Sequence, residues 1–172
     1  MLANMMDAQA QPQSGKVDPQ YLGPSFLIKS LSDRNIDAFF CAEPWNSKAV
    51  LEGKGRIYAR SKDILPGHIC CIVVVREEFI ARHGGLLRDY LKLLQTMNDY
   101  VHQHPSQSAA IQAKYTGVPA DLIRRIIKKQ EITFGDLNPD RGRVESFMNL
   151  ALKTGILKSA CDLGNFVNTR ML

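Results

Sequence analysis

The chain has 172 residues with 45% hydrophobic content, which fits one globular domain of ordinary size or two small lobes. No stretch approaches about eighteen consecutive apolar residues, so the sequence predicts no transmembrane helix. The formal charge of +5 comes from 22 lysines and arginines spread along the chain, against 17 acidic residues. This pattern favours a solvated basic surface, so we expect no nucleic-acid partner, although a nucleic-acid binder is the alternative that charge alone offers.

Residues 1–16 are rich in glutamine and alanine and predict a disordered leader before one folded portion, residues 17–172. The leader has neither the basic start nor the continuous apolar core of a secretory signal. We therefore expect no export signal in this chain.

The next segment alternates helical and extended patterns. A short amphipathic helix is expected between Phe26 and Leu31, followed by a strand over 36–42 that is apolar on both faces. A second helix begins near Trp45 and ends at the Gly53-Lys54-Gly55 breaker.

Two further extended runs follow that breaker. Residues 55–60 favour a short strand, and HICCIVVV (68–75) gives the strongest strand prediction of the chain. The alternation of strand, helix and strand predicts βαβ units, so the expected fold class is α/β with a parallel sheet in which 36–41 and 69–75 pair.

From Glu77 onward the pattern is helical. The first helix has one predicted buried stripe, made of Leu87, Tyr90, Leu94, Met97 and Val101. The second helix of this region is expected to end at Gly117. A third should bury Leu122, Ile123, Ile126 and Ile127 opposite a solvated basic face of Arg124, Arg125, Lys128 and Lys129. The last is predicted to start with Asn138 as its N-cap and to end at Gly155.

Motifs for catalysis are missing from the sequence. It contains no G-x-S-x-G, P-loop or G-x-G-x-x-G pattern, and no histidine is placed beside a serine or cysteine. Cys41, Cys70 and Cys71 lie in apolar runs and are expected to be buried, with Cys70 and Cys71 on opposite faces of a strand. We therefore predict no catalytic residue, no metal site and no cofactor.

The stretch Glu43-Pro44-Trp45-Asn46 follows a predicted strand and contains the only tryptophan. In an open α/β sheet, ligands bind where strands pass into helices. A helix that begins near Trp45 would direct its unpaired N–H groups at such a crevice, which suits a small anion. Pro44 would fix the turn, and Trp45 would supply an apolar wall. The alternative is a plain corner with Trp45 in the core, and the residues alone favour neither.

Several stretches carry a resemblance to a known family. IDAFFCAEPWNSKAVLEGKGRI and PGHICCIVVVREEFIARH resemble the nitrate/sulfonate/taurine/bicarbonate family of ABC-transporter solute-binding proteins. The later segments YVHQHPSQSAAIQAKYTGVPADLIRRII and FMNLALKTGILKSACDLGNFVN resemble its helices and tail. The resemblance covers 17–172 and corresponds to the C-terminal half of the family, carried by the order of many weak signals.

This resemblance implies a fold and a function. The fold would be a periplasmic-binding-protein-like lobe, with a parallel or mixed sheet flanked by helices and a helix-rich C-terminal half, incomplete relative to the two-lobed family. The function would be the solute-binding component of an ABC transporter for a small anion such as nitrate, sulfonate, taurine or bicarbonate, in a truncated or half-length version that is not an enzyme.

The resemblance also implies a ligand-binding crevice, formed by Ala42, Glu43, Pro44, Trp45, Asn46 and His68. Glu43 would repel an anion, so we expect its carboxylate to accept hydrogen bonds from backbone N–H groups and hold the corner in shape.

Implied partners are the permease and ATPase subunits of the transporter, with self-association or a partner that supplies the missing lobe. The implied location is periplasmic or membrane-associated, or cytoplasmic if the chain is not exported. The first alternative function is an unfused ligand-sensing regulatory domain of the same fold. The second is an enzyme resembling the pyrimidine-synthase branch, whose cysteine-rich signature this sequence lacks.

Overall fold

The structure is a computed structural model, and it describes residues 18–132, 137, 138 and 140–168. The predicted leader, 1–16, lies outside the described residues. Across the described ranges the regular secondary structure is helical, in the order α1 (Pro24–Ser32), α2 (Trp45–Leu51), α3 (Ser61–Ile64), α4 (Glu77–Gln103), α5 (Pro105–Thr116), α6 (Ala120–Lys128), α7 (Arg141–Lys153) and α8 (Leu163–Phe166). None of these helices has both the length and the apolar composition needed to cross a membrane.

The prediction of an α/β fold with a parallel or mixed sheet is wrong. The runs 36–42, 55–60 and 68–75 are irregular or extended, and no strand occurs in the described part of the chain. β-Propensity measures how well a side chain packs on a pleated, half-buried surface, so it produces a strand only where a partner strand is present. Without a ladder, the side chain of Val74 remains 75% exposed.

The predictions that the cysteines are buried, and that two of them take opposite faces of a strand, are wrong as well. Cys70 and Cys71 are exposed, and Cys41 is only half-buried. The sulfur atoms of Cys70 and Cys71 lie 3.8 Å apart, so the two side chains do not take opposite faces. Alternation across two faces is a property of a paired, pleated strand, and this segment is not one.

The chain divides into two compact units. Within the described residues, the first unit comprises 18–19, 59–94, 137–138 and 140–168, and the second unit comprises 20–58 and 95–132.

The core of the second unit is formed by α5, α6 and the turn between them. Gly117, with φ of 65°, ends α5 in the left-handed conformation, and its N–H donates to the Ala113 carbonyl oxygen at 2.9 Å. The buried cluster consists of Ala109, Val118, Leu122, Ile123, Ile126 and Ile127. The predicted apolar face of α6 and the Gly117 stop are therefore confirmed.

The basic face of α6 is turned outward, as expected. Arg125, Lys128 and Lys129 are exposed. Arg124 is half-buried and pairs with Asp121, with 2.9 Å between guanidinium nitrogen and carboxylate oxygen. This i, i+3 pair neutralises one charge of the basic face within the helix.

Helix α4 has a backbone irregularity at His83 and covers only part of the predicted stripe. Leu87 is buried, whereas Tyr90 and Met97 are exposed. Leu86 and Leu93 are exposed as well. The prediction is thus wrong for Tyr90 and Met97, because α4 carries apolar residues on two sides and the pattern does not show which side is covered.

In the first unit, aspartates cap the last two helices. Asp140 caps α7, its Oδ1 accepting the Arg143 N–H at 3.1 Å, so the predicted N-cap at Asn138 is wrong. Asp162 caps α8 through the Gly164 N–H at 2.8 Å. The predicted stop at Gly155 is confirmed: its φ is 72°, and α7 ends two residues earlier at Lys153.

We expect Ile126→Ala to lower the free energy of unfolding by about 2–5 kcal/mol, because the side chain is 3% exposed and its truncation leaves a cavity in the core. Ile111→Ala is the matched control: the residue lies on α5, is 51% exposed, and should change stability by less than about 0.5 kcal/mol. Urea unfolding followed by circular dichroism measures both. Equal losses in the two variants would contradict the assignment of the core.

Candidate functional site

The corner predicted to bind a ligand lies in the second unit, where an irregular segment passes into α2. The Glu43–Pro44 peptide is cis, Pro44 is buried, and α2 begins at Trp45. Trp45 and Asn46 are half-buried, whereas Ala42 is exposed. The corner predicted from the sequence therefore exists, although no strand precedes it within the described residues.

The carboxylate of Glu43 closes the amino end of α2. Its Oε2 accepts the Ser47 N–H at 3.1 Å, and its Oε1 accepts the Ser47 hydroxyl at 3.0 Å. The negative charge lies at the positive end of the helix dipole, where it is stabilising. The hydrogen bond expected of Glu43 is confirmed. It also occupies an N–H group of α2 that a bound anion would otherwise use.

Asn46 fastens the preceding segment to the same corner. Its side-chain amide donates to the Cys41 carbonyl oxygen at 2.5 Å. Together with the Glu43–Ser47 pair, this contact ties residues on both sides of Pro44. Glu43 and Asn46 therefore hold the corner in shape through their own hydrogen bonds.

Cys41 is the thiol nearest this corner in sequence. Burial raises its pKa most strongly; a hydrogen bond from the Ala42 backbone lowers it by less, and the Glu43 carboxylate adds a smaller rise. A raised pKa keeps the thiol protonated near neutral pH, and the thiolate is the reactive nucleophile. This position does not favour nucleophilic chemistry.

Trp45 also forms part of the wall of a surface depression of about 330 Å³ in the second unit. The depression is lined by Ser25, Ile28, Lys29, Ser32, Asp33, Trp45, Lys48, Glu52 and Lys54. Most of these residues belong to α1 and α2, which contact each other. A volume at the low end of the range of ligand pockets suits a small solute.

Intrahelical ion pairs neutralise two of the three lysines in the depression. The Lys29 ammonium nitrogen lies 2.5 Å from a carboxylate oxygen of Asp33, and that of Lys48 lies 3.8 Å from a carboxylate oxygen of Glu52. Both pairs have i, i+4 spacing. The Lys48 ammonium is also 5.7 Å from the centre of the Trp45 ring, a cation–π distance. Lys54 makes no ion pair among the described residues and supplies the surplus positive charge.

The remaining wall combines donors with apolar surface. Ser25 and Ser32 bring hydroxyl groups, and the buried Ile28 faces the depression beside Trp45. Hydroxyl groups, an ammonium group and an indole N–H can donate hydrogen bonds to an oxyanion, and the ring and Ile28 can cover an apolar substituent.

The structure assigns this wall to residues that the sequence analysis missed, chiefly Lys54 and the residues of α1. A signal for α1 was present: Ser25, Ile28, Lys29 and Ser32 repeat at three and four residues and so share one helix face. The polar residues of this face form no recognised motif, whereas the apolar residues of the helix carry the signal for its amphipathic pattern.

His68 belongs to the first unit, where it closes a turn. Its N–H donates to the Leu65 carbonyl oxygen at 3.3 Å, and the turn has Pro66 and Gly67 at its centre, with φ of 70° at Gly67. The ring Nδ1 lies 2.9 Å from the same oxygen. Because a carbonyl only accepts, Nδ1 carries the proton and Nε2 is left for other contacts. Its part in the ligand site remains a prediction.

Over the described ranges, no group of three or more histidine, cysteine, aspartate or glutamate side chains is placed to hold a metal ion.

We expect Glu43→Ala to destabilise the protein by about 0.5–2 kcal/mol, the usual loss for removing a helix cap. Glu43→Gln keeps an oxygen that can accept the Ser47 N–H, so it should recover most of this loss. Thermal unfolding of the three proteins tests the assignment. If Glu43→Ala were as stable as the parent chain, the capping role would be wrong.

Comparison with known proteins identifies the family to which the chain is similar. The chain matches the model of the NMT1-like family over residues 3–115, a range that starts within the predicted leader and contains the corner and the depression. The resemblance noted in the sequence is thereby confirmed. No solved structure matches the chain.

Three relatives illustrate the similarity. The chain is 30% identical over 120 residues to the nitrate import ATP-binding protein NrtC of Synechocystis, a match that covers 64% of this chain and 18% of that protein. It is 23% identical over 107 residues to the "Putative aliphatic sulfonates-binding protein" of Escherichia coli, covering 62% and 33%. It is 24% identical over 128 residues to the bicarbonate transport ATP-binding protein CmpC of Synechococcus elongatus, covering 72% and 19%.

The matched segments span between about a fifth and a third of the length of these relatives. The family model covers well over half of this chain. The chain therefore belongs to the NMT1-like family.

Proposed function

We propose that the chain is a solute-binding segment for a small anion that acts with the permease and ATPase subunits of an ABC transporter. The observation that supports this most directly is the depression beside Trp45, where Lys54 leaves one positive charge without an internal carboxylate. Relatives named for nitrate, aliphatic sulfonates and bicarbonate support the anionic class of solute.

In this proposal the ligand lies in the depression, against α1 and α2. Its oxyanion group accepts hydrogen bonds from Lys54 and from a serine hydroxyl of α1, such as Ser32. An apolar substituent, where the ligand has one, covers Trp45. The dipole end of α2 takes little part, because the Glu43 carboxylate already occupies the Ser47 N–H.

The expected affinity is low. The depression is open to solvent, and water and salt screen the attraction between exposed charges. A dissociation constant near 1 mM corresponds to about 4 kcal/mol of binding free energy, which a few exposed hydrogen bonds and one apolar contact can supply. We therefore expect the isolated chain to bind weakly.

A second candidate function is a ligand-sensing segment that regulates a transporter. Two of the relatives are named as ATP-binding proteins of a nitrate and a bicarbonate transporter. The same depression would then report anion concentration to an ATPase subunit. The two functions differ in the expected partner. Binding of the chain to a purified permease and to a purified ATPase subunit of one transporter should therefore be measured, with and without anion.

The proposed anion site predicts that Lys54→Gln weakens binding by about two- to fivefold, because an exposed charge pair contributes roughly 0.4–1 kcal/mol. Trp45 is the only tryptophan, so its fluorescence can follow titrations with nitrate, bicarbonate, taurine and an alkanesulfonate at low salt.

Lys128→Gln is the matched control, since it removes the same charge from an exposed position on α6 in the same unit. It should leave the titration unchanged. Equal weakening of anion binding in both variants would show that the overall charge of the chain, and not the position of Lys54, causes the effect. A Trp45 signal that responds to none of the four anions would contradict the site.

We also propose that α4 mediates self-association. Leu86, Tyr90, Leu93 and Met97 are exposed apolar residues spaced by three and four positions along the helix, and exposed apolar patches commonly form interfaces. Light scattering over a concentration series should show a mass above that of the monomer. Leu93→Glu should shift it towards the monomer, whereas Gln107→Glu on α5 should not. A monomer at every concentration would contradict this proposal.

A further inference from the structure

Two adjacent thiols in the first unit form a feature that the proposed anion site does not use. Cys70 and Cys71 lie in the segment without regular secondary structure between His68 and α4, and both are exposed. Their sulfur atoms are 3.8 Å apart, with the Cys71 thiol directed at the Cys70 sulfur. In a pleated strand, two adjacent side chains would point to opposite faces. Here they converge on one side.

This separation matches the one that a shared ion imposes on two sulfur ligands. When two thiolates bind one tetrahedral ion at about 2.3 Å, their sulfurs are about 3.8 Å apart. Little movement is therefore needed for one centre to contact both sulfurs. We propose that Cys70 and Cys71 form a two-thiol chelating site for a thiophilic centre that needs only two sulfur ligands, namely an organic trivalent arsenical.

The ligand class follows from the donor set. Thiolates are soft ligands and select soft ions over magnesium or calcium, which prefer oxygen. The described residues contain no third histidine, cysteine or carboxylate grouped with this pair. A closed four-ligand zinc site is thus not available here. An organic trivalent arsenical needs only two sulfurs, because its third bond is already made to carbon.

The binding step with an arsenical requires no oxidant. An aryl arsenic(III) oxide reacts with two thiols to form two As–S bonds, while the As–O bond breaks and oxygen leaves as water with the two thiol protons. Arsenic stays trivalent, and both cysteines remain at the thiol oxidation level. The product is a ring that contains arsenic, the two sulfurs and the chain between them.

The two thiols also differ from an activated cysteine. Partial burial raises the pKa of Cys70, and the neighbouring Cys71 thiol raises it further. The Cys70 thiol is therefore protonated near neutral pH, which slows its reaction with reagents that need a single thiolate. Selectivity for this pair should come from having two sulfurs within reach of one centre.

The test uses the full chain, kept reduced and then treated with phenylarsine oxide. Native mass spectrometry should show one arsenical per chain. The adduct should survive an excess of a monothiol and be removed by a dithiol such as 2,3-dimercaptopropanol, because only a dithiol can replace both As–S bonds at once. Circular dichroism checks that each variant remains folded, as expected for changes at exposed positions.

Single serine variants locate the adduct. Cys70→Ser and Cys71→Ser should each lose the monothiol-resistant adduct, whereas Cys41→Ser and Cys161→Ser should retain it. An adduct that a monothiol removes from the parent chain would overturn the proposal. So would a resistant adduct that persists in folded Cys70→Ser or Cys71→Ser. Neither outcome bears on the anion site, which lies in the other unit.

Discussion

The hydrogen bonds between Glu43 and Ser47 fix the position at which α2 begins, and the candidate site depends on that position. The carboxylate binds both the N–H and the hydroxyl of Ser47, which sets Trp45 in the first turn and Lys48 one turn later. Helix α2 contacts α1 and α6. The wall of the depression is therefore attached to the buried α5–α6 core through a short helix whose start is fixed by one acidic side chain.

A carboxylate at this place changes how an anion can be recognised. A free helix end attracts an anion through unpaired N–H groups, but here an internal anion has taken one of them. The positive charge available to a ligand therefore comes from side chains. Lys29 and Lys48 are paired with acids one turn along their own helices, so the surplus charge belongs to Lys54, just beyond the end of α2. Recognition by one exposed ammonium group explains both the expected preference for anions and the expected low affinity.

Features that depend on neighbouring residues could be predicted from the sequence. The four buried residues of α6 share one face, and Gly117 stops α5 because only glycine adopts the left-handed conformation without cost. The corner at Pro44 was also located correctly. The ion pairs that set the net charge of the depression could also be predicted, because their partners are four residues apart. Their effect on one shared site could not be predicted, because it depends on α1 and α2 lying side by side.

Features that depend on distant partners were predicted poorly. The run 68–75 has the composition of a buried strand, but composition does not supply the second strand that a ladder requires. For α4 the helix itself was predicted correctly, but of its predicted stripe Leu87 is buried while Tyr90 and Met97 are exposed, because the pattern does not show how much of the helix is covered. In both cases the error lay in the assumed neighbour.

The failed strand and the proposed dithiol site have one physical origin. A ladder would have held residues 70 and 71 in a pleat, with their side chains on opposite faces and their sulfurs apart. Because the described residues supply no ladder, the backbone at this point is free of the pleat, and the two sulfurs come within 3.8 Å. If a partner strand paired with this segment, the pleat would return and separate the thiols. We therefore expect chelation by Cys70 and Cys71 to be weakened by any partner strand that pairs with 68–75.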